Sequence, residues 1–423
     1  MSEVDADLLS PEPLSPEPLD AIIEGSPKAG VRDAAAWLGG PSSDPAIRVA
    51  HIFKVFIPEI NGGIPEIMRL LAAGLTRWCR SEVLVSRVQG PGASEIVEGI
   101  EVHRAGALRS LWSMPISPTF PVFVWQTARR VDVVDYHAPF PLADLAVSLW
   151  FPRRTALIVH WHSEIIAQRR MLPVIGPFIR KTLRRADRIV VSTPAMIEQS
   201  PFLKPFTDKC VVIPYGIDVD YWKKLDDADL RRIGELRALH PRLIVATGRL
   251  VAYKGFNVLI EAMRKVDATL VIVGTGALES DLRAQIAEAG IGDRVHLVGY
   301  LERRELKCLL HACRVFTMPS VEESETFGIA QVEAMACGKP IVNTRLSTGV
   351  PWVARDGREA VTVQPNDPDA LAEALAHLLD HEEEAAAMGA CSLRRAETTF
   401  SFGTFLSETL KVFKDTVKER GIS

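Results

Sequence analysis

From Ile47 onward, short apolar runs alternate with longer stretches in which apolar residues recur every three or four positions. Short runs rich in Val, Ile, Leu and Ala, bounded by Gly, Pro, Asn or Asp, predict strands, and the longer amphipathic stretches predict helices. Strands are predicted over 47–57, 82–88, 131–136, 156–161, 188–192 and 210–214, with helices over 61–80, 141–150 and 173–186. The pattern restarts after Pro214-Tyr215-Gly216-Ile217-Asp218. Strands are then predicted over 243–247, 269–273, 295–298, 315–318, 340–343 and 361–363, and helices over 256–265, 277–289, 303–311, 328–337 and 369–379. Strand–helix alternation implies an α/β protein with mostly parallel sheets covered on both faces. The expectation is two doubly wound, Rossmann-like domains, 46–218 and 219–395, facing across a cleft. A last helix over 396–423 could cross back to the first domain. Such sheets bind ligands beyond the carboxyl ends of their strands.

Residues 1–45 break this grammar. Leu9–Pro13 reads LSPEP and Leu14–Pro18 repeats it. Proline lacks an N–H donor and fixes φ, so a disordered, PPII-rich tail is expected here rather than a core.

Composition adds limits. The chain has 423 residues, 47% hydrophobic and 24% charged, as expected of a globular protein of two domains. No run is long and apolar enough to span a membrane, and the start has acids without a basic region, so no secretory signal is expected. Six cysteines lack C-x-x-C spacing, which fits a reduced, cytoplasmic protein. The net charge of -4 hides an uneven distribution. Residues 1–45 carry 2 basic and 9 acidic side chains, residues 46–218 carry 21 and 14, and residues 219–423 carry 26 and 30.

Four motifs carry candidate chemistry. The first is Glu325-Thr-Phe327-Gly328-Ile329-Ala-Gln-Val-Glu333, followed by Ala334–Pro340. A strand ends before it and a helix begins near Gly328, where glycine admits a ligand close to the backbone. The first turn of a helix has free N–H groups and suits phosphate. Glu333, deeper in the helix, suits two neighbouring hydroxyls, and Glu325 could accept from sugar hydroxyls. A solvated acidic loop and an ordinary helix glutamate explain the acids equally simply. The second motif, Gly248–Gly255, places Arg249 and Lys254 after a strand, where a guanidinium and an ammonium together can hold a diphosphate.

The third motif is Asn61-Gly62-Gly63-Ile64, at a strand-to-helix turn. It fits backbone contact with phosphate or sugar, and equally a plain tight turn. It is not G-x-G-x-x-G, and Gly274-Thr275-Gly276 lacks the third glycine, which disfavours a nicotinamide dehydrogenase. The fourth is His160-Trp161-His162-Ser163-Glu164, at a strand end. Alternation puts His160 and His162 on one side, with His162 nearer the expected cleft. Zinc would need a third ligand, and no H-x-x-x-H or H-E-x-x-H spacing supplies one, so no metal is expected.

Taken together and in this order, the motifs resemble the retaining glycosyltransferases of family 4, with the GT-B fold, over about residues 47–420. The resemblance implies a nucleotide-sugar donor held mainly by the second domain and a saccharide acceptor held mainly by the first. It implies no metal or other cofactor, because basic residues replace the ion. By position, Arg249 and Lys254 resemble the family's diphosphate clamp, Glu325 its donor-sugar contact and Glu333 its ribose contact. Phe327, Gly328 and Ile329 would offer backbone N–H groups. Gly62 and Gly63 would lie beside the donor phosphate, and His162 beside the transferred sugar. The mechanism implied is front-face attack, in which the departing phosphate takes the acceptor proton. Phe53-Lys54 to Gly63, with the His160–Ile166 stretch, resembles a subgroup that builds bacterial surface polysaccharides, frequently from GDP-mannose. That subgroup commonly has Asp after the His-Ser pair, where this chain has Glu164.

The expectation is therefore a cytoplasmic hexosyltransferase acting on a polyprenol-diphosphate-linked acceptor, peripheral on the inner face of the plasma membrane. The basic residues between Arg169 and Arg188 interleave with apolar ones, as in a helix lying on an anionic leaflet or one packed on the sheet with solvated arginines. Nucleic acid is not expected, since the stretch lacks interleaved aromatics. Two alternatives stay open. One is another GT-B enzyme, such as a nucleotide-sugar epimerase or a soluble-acceptor synthase. The other is a non-catalytic nucleotide-sugar scaffold.

Overall fold

The computed structural model describes residues 47–60, 63–111, 114–163 and 171–422. The Pro-Glu tail, Asn61-Gly62 and the Glu164–Arg170 segment lie outside the described residues. The chain forms two units: residues 217–401 make one, and the described residues up to 216 together with those from 402 onward make the other.

The N-terminal unit is built on a sheet of order β10-β9-β8-β7-β1-β2-β4-β3. Its strands are β1 (Ile47–Ile52), β2 (Cys79–Ser86), β3 (Ala93–Val97), β4 (Ile100–Ala105), β7 (Val133–Ala138), β8 (Ala156–Trp161), β9 (Arg188–Val191) and β10 (Cys210–Val212); β5 (Ser110–Leu111) and β6 (Met114–Pro115) form a separate hairpin. Every pairing in the large sheet is parallel except β3 with β4. Helices α1 (Gly63–Gly74), α2 (Phe120–Ala128), α3 (Pro141–Trp150) and α4 (Leu172–Arg185) cover it. Period-2 alternation sorts the central strands. Ala50, Ile52, Val134, Tyr136, Leu157 and Val159 pack with α2, α3 and α4 on one face. Val49, Val133 and Ile158 pack on the other with Phe405, Leu406 and Phe413 of the chain's last helix.

The C-terminal unit is a fully parallel sheet of order β13-β12-β11-β14-β15-β16. The strands are β11 (Leu243–Thr247), β12 (Thr269–Val273), β13 (Val295–Leu297), β14 (Val315–Met318), β15 (Ile341–Thr344) and β16 (Ala360–Val363). The helices that matter below are α5 (Phe256–Met263), α6 (Arg303–Ala312), α7 (Ile329–Ala336), α8 (Glu382–Thr399) and α9 (Phe402–Glu419). The single helix expected over 396–423 is thus two. The backbone leaves the helix after Thr399, Ile217 N–H donates to the Phe400 carbonyl, and α9 belongs with the N-terminal unit.

The sequence pattern also overran the helix expected over 61–80. It ends at Gly74, and Cys79–Ser86 is strand. A Cβ at Gly74 would lie 2.7 Å from Leu406, so glycine at this corner lets α9 pack closely. The strands β3 and β4 and helix α2 were missed. The first two lie on the edge of the sheet, where exposed positions on β3 give no clean alternation.

Apolar residues of the basic stretch are spent on the core: Ile175, Ile179 and Leu183 of α4 are buried against the sheet. Arg180 lies over the Phe202 ring at 5.2 Å, and Arg185 donates to the Thr155 carbonyl at 2.7 Å. One face of α4 is thus packed on the sheet, while Val174 stays 67% exposed and Phe178, one turn on, is half-buried. No described helix is long and apolar enough to cross a membrane.

Candidate functional site

In the C-terminal unit the candidate residues gather on the loops that follow β11 and β14, at the carboxyl ends of adjacent strands. The β11 loop turns at Gly248 and again at Gly255, where φ is +68°. A Cβ at Gly255 would sit 2.1 Å from the Pro319 carbonyl oxygen, so only glycine lets this loop approach the one after β14. The Val321 N–H donates to the Tyr253 carbonyl at 2.8 Å and ties the two loops together. That contact brings Lys254 to Glu325: Nζ lies 2.5 Å from Oε2, with both side chains nearly buried. Ser320 Oγ donates to the same carboxylate oxygen at 3.2 Å.

Glu325 is therefore not part of a solvated acidic loop; it is 8% exposed, while its neighbours Glu322 and Glu323 are exposed. Arg249 is exposed and donates to the Tyr253 hydroxyl at 3.1 Å. An exposed guanidinium and a nearly buried ammonium beside glycine backbone are groups able to hold a diphosphate. Lys254 and Glu325 hold each other in the unliganded protein, so a ligand must exchange with that pair.

Gly328 precedes α7 with φ +77°. A Cβ there would meet the Met318 side chain at 2.5 Å. Phe327 is 3% exposed and packs edge-on against Phe400 at 5.9 Å, so its ring belongs to the core. Any contact it makes with a ligand is through its backbone. Ile329 is half exposed at the helix start, where the N–H groups of a first turn lack intrahelical partners. Glu333, half-buried on α7, has its carboxyl pushed up to about 7 by burial, against the pull of the Arg303 guanidinium from α6. A carboxyl so poised gains most from a partner that donates hydrogen bonds to its ionised form.

In the N-terminal unit, Gly63 is the first residue of α1, and Gly62 lies outside the described residues. His162 follows β8 and is 6% exposed. Its Nε2 lies 2.8 Å from His137 Nδ1, and its Nδ1 lies 2.8 Å from the Tyr215 hydroxyl. Both ring nitrogens are engaged, so a sugar hydroxyl reaches His162 only by replacing a partner.

The sequence reading missed what surrounds this ring. His51 on β1 stands in register with Asp135 on β7, and His137 with His160 on β8. All point to the sheet face that α9 covers, with the Phe413 ring 6.5 Å from His51. Asp135 Oδ2 lies 2.8 Å from His51 Nδ1 and 3.2 Å from His137 Nε2, and Oδ1 lies 3.1 Å from His160 Nε2. Burial opposes ionisation of Asp135, yet the surrounding imidazoles outweigh it and hold the carboxyl well below the usual range. Burial keeps the rings neutral: His160 is lowered to about 4, His162 lies well below its ordinary value, and His137 is lowered despite Asp135.

A signal was available in the sequence. The predicted strands 47–57 and 156–161 carry His51 and His160, and the strand 131–136 carries Asp135 and is followed at once by His137. The argument against a metal assumed that His160 and His162 lacked a third ligand. The fold supplies His51, Asp135 and His137, so that premise fails. The separation of His137 from His162 nevertheless speaks for a hydrogen bond between the two rings. Nitrogens around one zinc stand about 3.3 Å apart, whereas His137 and His162 approach to 2.8 Å.

These features, two Rossmann-like units with basic and acidic groups on the βα loops of the second, define a glycosyltransferase of the GT-B class. Solved structures agree on the fold. HepE of Anabaena with UDP superposes with a TM-score of 0.68 at 19% identity, covering 87% of this chain and all of that one. The family profiles "Glycosyl transferases group 1" and "Glycosyltransferase Family 4" match residues 230–392 and 61–221. The D-rhamnosyltransferase WbpZ of Pseudomonas aeruginosa is 31% identical, over 84% of this chain and 91% of that protein. The O-antigen chain mannosyltransferase C of Escherichia coli is 30% identical, over 84% and 95%. The chain belongs to glycosyltransferase family 4, a family of retaining hexosyltransferases.

Proposed function

We propose that this enzyme moves a hexose from a nucleotide-sugar, GDP-mannose first, to a hydroxyl of a polyprenol-diphosphate-linked saccharide during synthesis of a bacterial surface polysaccharide. The observation that carries the proposal is the buried Lys254–Glu325 pair beside Gly248, Arg249 and Gly328. Arg249 and Lys254 take the diphosphate, Glu325 turns to the sugar, and Glu333 accepts from the ribose diol. The bond from the anomeric carbon to phosphate breaks and the bond to the acceptor oxygen forms on the same face. The acceptor proton passes to the departing phosphate oxygen, whose charge the two cations stabilise. The residues assigned to the donor thus supply binding and electrostatics without a protein nucleophile. A lipid-linked acceptor places the enzyme peripherally on the cytoplasmic face.

The relatives support mannose and rhamnose about equally in name: one acts as a D-rhamnosyltransferase, and a further relative, 32% identical over 78% of this chain, is a GDP-mannose-dependent mannosyltransferase of Mycolicibacterium smegmatis. Transfer and hydrolysis should be assayed with GDP-mannose, UDP-glucose, UDP-galactose and nucleotide-linked rhamnose, using a polyprenol-diphosphate sugar as acceptor. Turnover of GDP-mannose is the expected result. Activity confined to a donor without guanine would overturn the mannose assignment.

A further inference from the structure

The chain of contacts from Asp135 to Tyr215 has a direction. A buried, ionised carboxylate only accepts hydrogen bonds. The contact of His137 Nε2 with Asp135 Oδ2, at 3.2 Å, is electrostatic rather than an aligned hydrogen bond, and a bare Nε2 lone pair there would meet a fully buried anion. The proton therefore sits on His137 Nε2, and Nδ1 is an acceptor. Its neighbour at 2.8 Å, His162 Nε2, must then carry a proton. A neutral imidazole has one N–H, so His162 Nδ1 is bare and accepts from the Tyr215 hydroxyl at 2.8 Å. The same reasoning puts a proton on His160 Nε2, 3.1 Å from Oδ1, and on His51 Nδ1, 2.8 Å from Oδ2.

We propose that Asp135, acting through His137, locks His162 in the Nε2–H tautomer, so that His162 meets a substrate hydroxyl as an acceptor only, at Nδ1, in place of Tyr215. Asp135 and His137 are positioning residues: they do not touch substrate, and they decide what His162 can recognise. A hydroxyl that donates is selected, and a group that must accept at that point, such as an ether or carbonyl oxygen, is refused. Of the other titratable groups against the network, His51 from β1 and His160 from β8 face the same carboxylate, and the Cys79 thiol of β2 is pushed up to about 12 by burial, which leaves His137 as the link to His162. The consequence for catalysis rests on the transferase reading above, whereas the tautomer does not.

The full chain, labelled with ¹⁵N-histidine, is examined at pH 7 by two-bond proton–nitrogen correlation, with His162 assigned from the spectrum of His162→Gln. The expected spectrum has His162, His137 and His160 neutral and protonated at Nε2, and His51 with a proton at Nδ1. A proton on Nδ1 of His162, or a charged ring, overturns the proposal whatever the activity. Two variants then test the link. In His137→Asn the side-chain oxygen replaces Nδ1 as acceptor, and in His137→Leu nothing does. His137→Leu should lose the tautomer and lower kcat about 10- to 100-fold while donor KM moves less than about 3-fold. His137→Asn should keep the tautomer and stay within about 5-fold of the wild type. Equal losses in the two variants, with the tautomer unchanged in both, would reduce His137 to packing and overturn its role. If the wild type shows no transfer, the function proposed above falls, and the spectrum still decides the tautomer.

Discussion

The two units hold their polar groups in opposite ways. In the C-terminal unit, Lys254 and Glu325 sit on loops beyond the strand ends, one pair joined across two turns, with an exposed arginine beside them. In the N-terminal unit, one carboxylate and four imidazoles sit within and at the ends of three adjacent strands, under a helix that comes from the far end of the chain. The first arrangement opens by exchanging one ion pair for a ligand. The second has nothing to exchange except Tyr215 at its outer end. A loop site suits a charged group that must enter and leave. A strand site suits a ring that must keep one orientation.

The sharpest break of that contrast is on the loop side. Lys254→Ala should lower the transfer rate about 10²- to 10³-fold, because a cation aimed at a departing phosphate acts in the transition state. The check is steady-state kinetics, with thermal unfolding close to wild type. On the strand side the expected loss is in stability. Asp135→Ala removes the hydrogen-bond partner of His51 and the buried charge that faces His137 and His160, and should cost about 3 kcal/mol, read by urea denaturation. Gly255→Ala tests how closely the two loops must pass. With φ at +68° and the Pro319 carbonyl in the way, it should cost about 2 kcal/mol and weaken donor binding together with it.

Two further effects depend on pH. Burial pushes the Glu333 carboxyl up to about 7, and the proposed ribose diol would bind its ionised form. Donor affinity should therefore fall as pH drops through 7, to about tenfold weaker at pH 6 than at pH 8. Isothermal titration should show the dependence vanish in Glu333→Gln. His160 works the other way round, through folding. Its folded value of about 4 lies below the ordinary 6.5, so the unfolded chain takes up the proton first as pH falls. Its contribution is present above 6.5 and is lost as pH falls toward 4. Wild type should lose up to about 3 kcal/mol over that window relative to His160→Gln. The comparison with the variant is needed because Asp144 and Glu333, both raised to about 7, bind protons in the folded state and pull in the opposite direction.

How much of this was legible beforehand differs between the units for the same reason. The ranges 243–247, 269–273 and 315–318 read from the pattern coincide with β11, β12 and β14, since strands buried on both faces are continuous apolar runs. The Gly248–Gly255 and Glu325–Glu333 motifs were equally plain, because each is one stretch of chain with its glycines where the backbone must turn. That Lys254 and Glu325 bond each other was not, since they are 71 residues apart. Phe327 was expected to offer its backbone N–H, and that its ring belongs to the core, packed on Phe400, was not legible in the sequence.

Local alternation along the chain, with Gly, Pro and Asp at the turns, determined two parallel α/β units and pointed to the loops that carry charge, because strand and helix periods and turn chemistry are properties of adjacent residues. The tertiary structure alone decided that α4 packs one face on the sheet, that α9 returns to the N-terminal unit, and that His51, Asp135, His137, His160 and His162 share one sheet face. Those depend on which strands lie side by side. Register between β1, β7 and β8 brings residues 84 and 25 positions apart within hydrogen-bonding distance, and no local pattern encodes that adjacency.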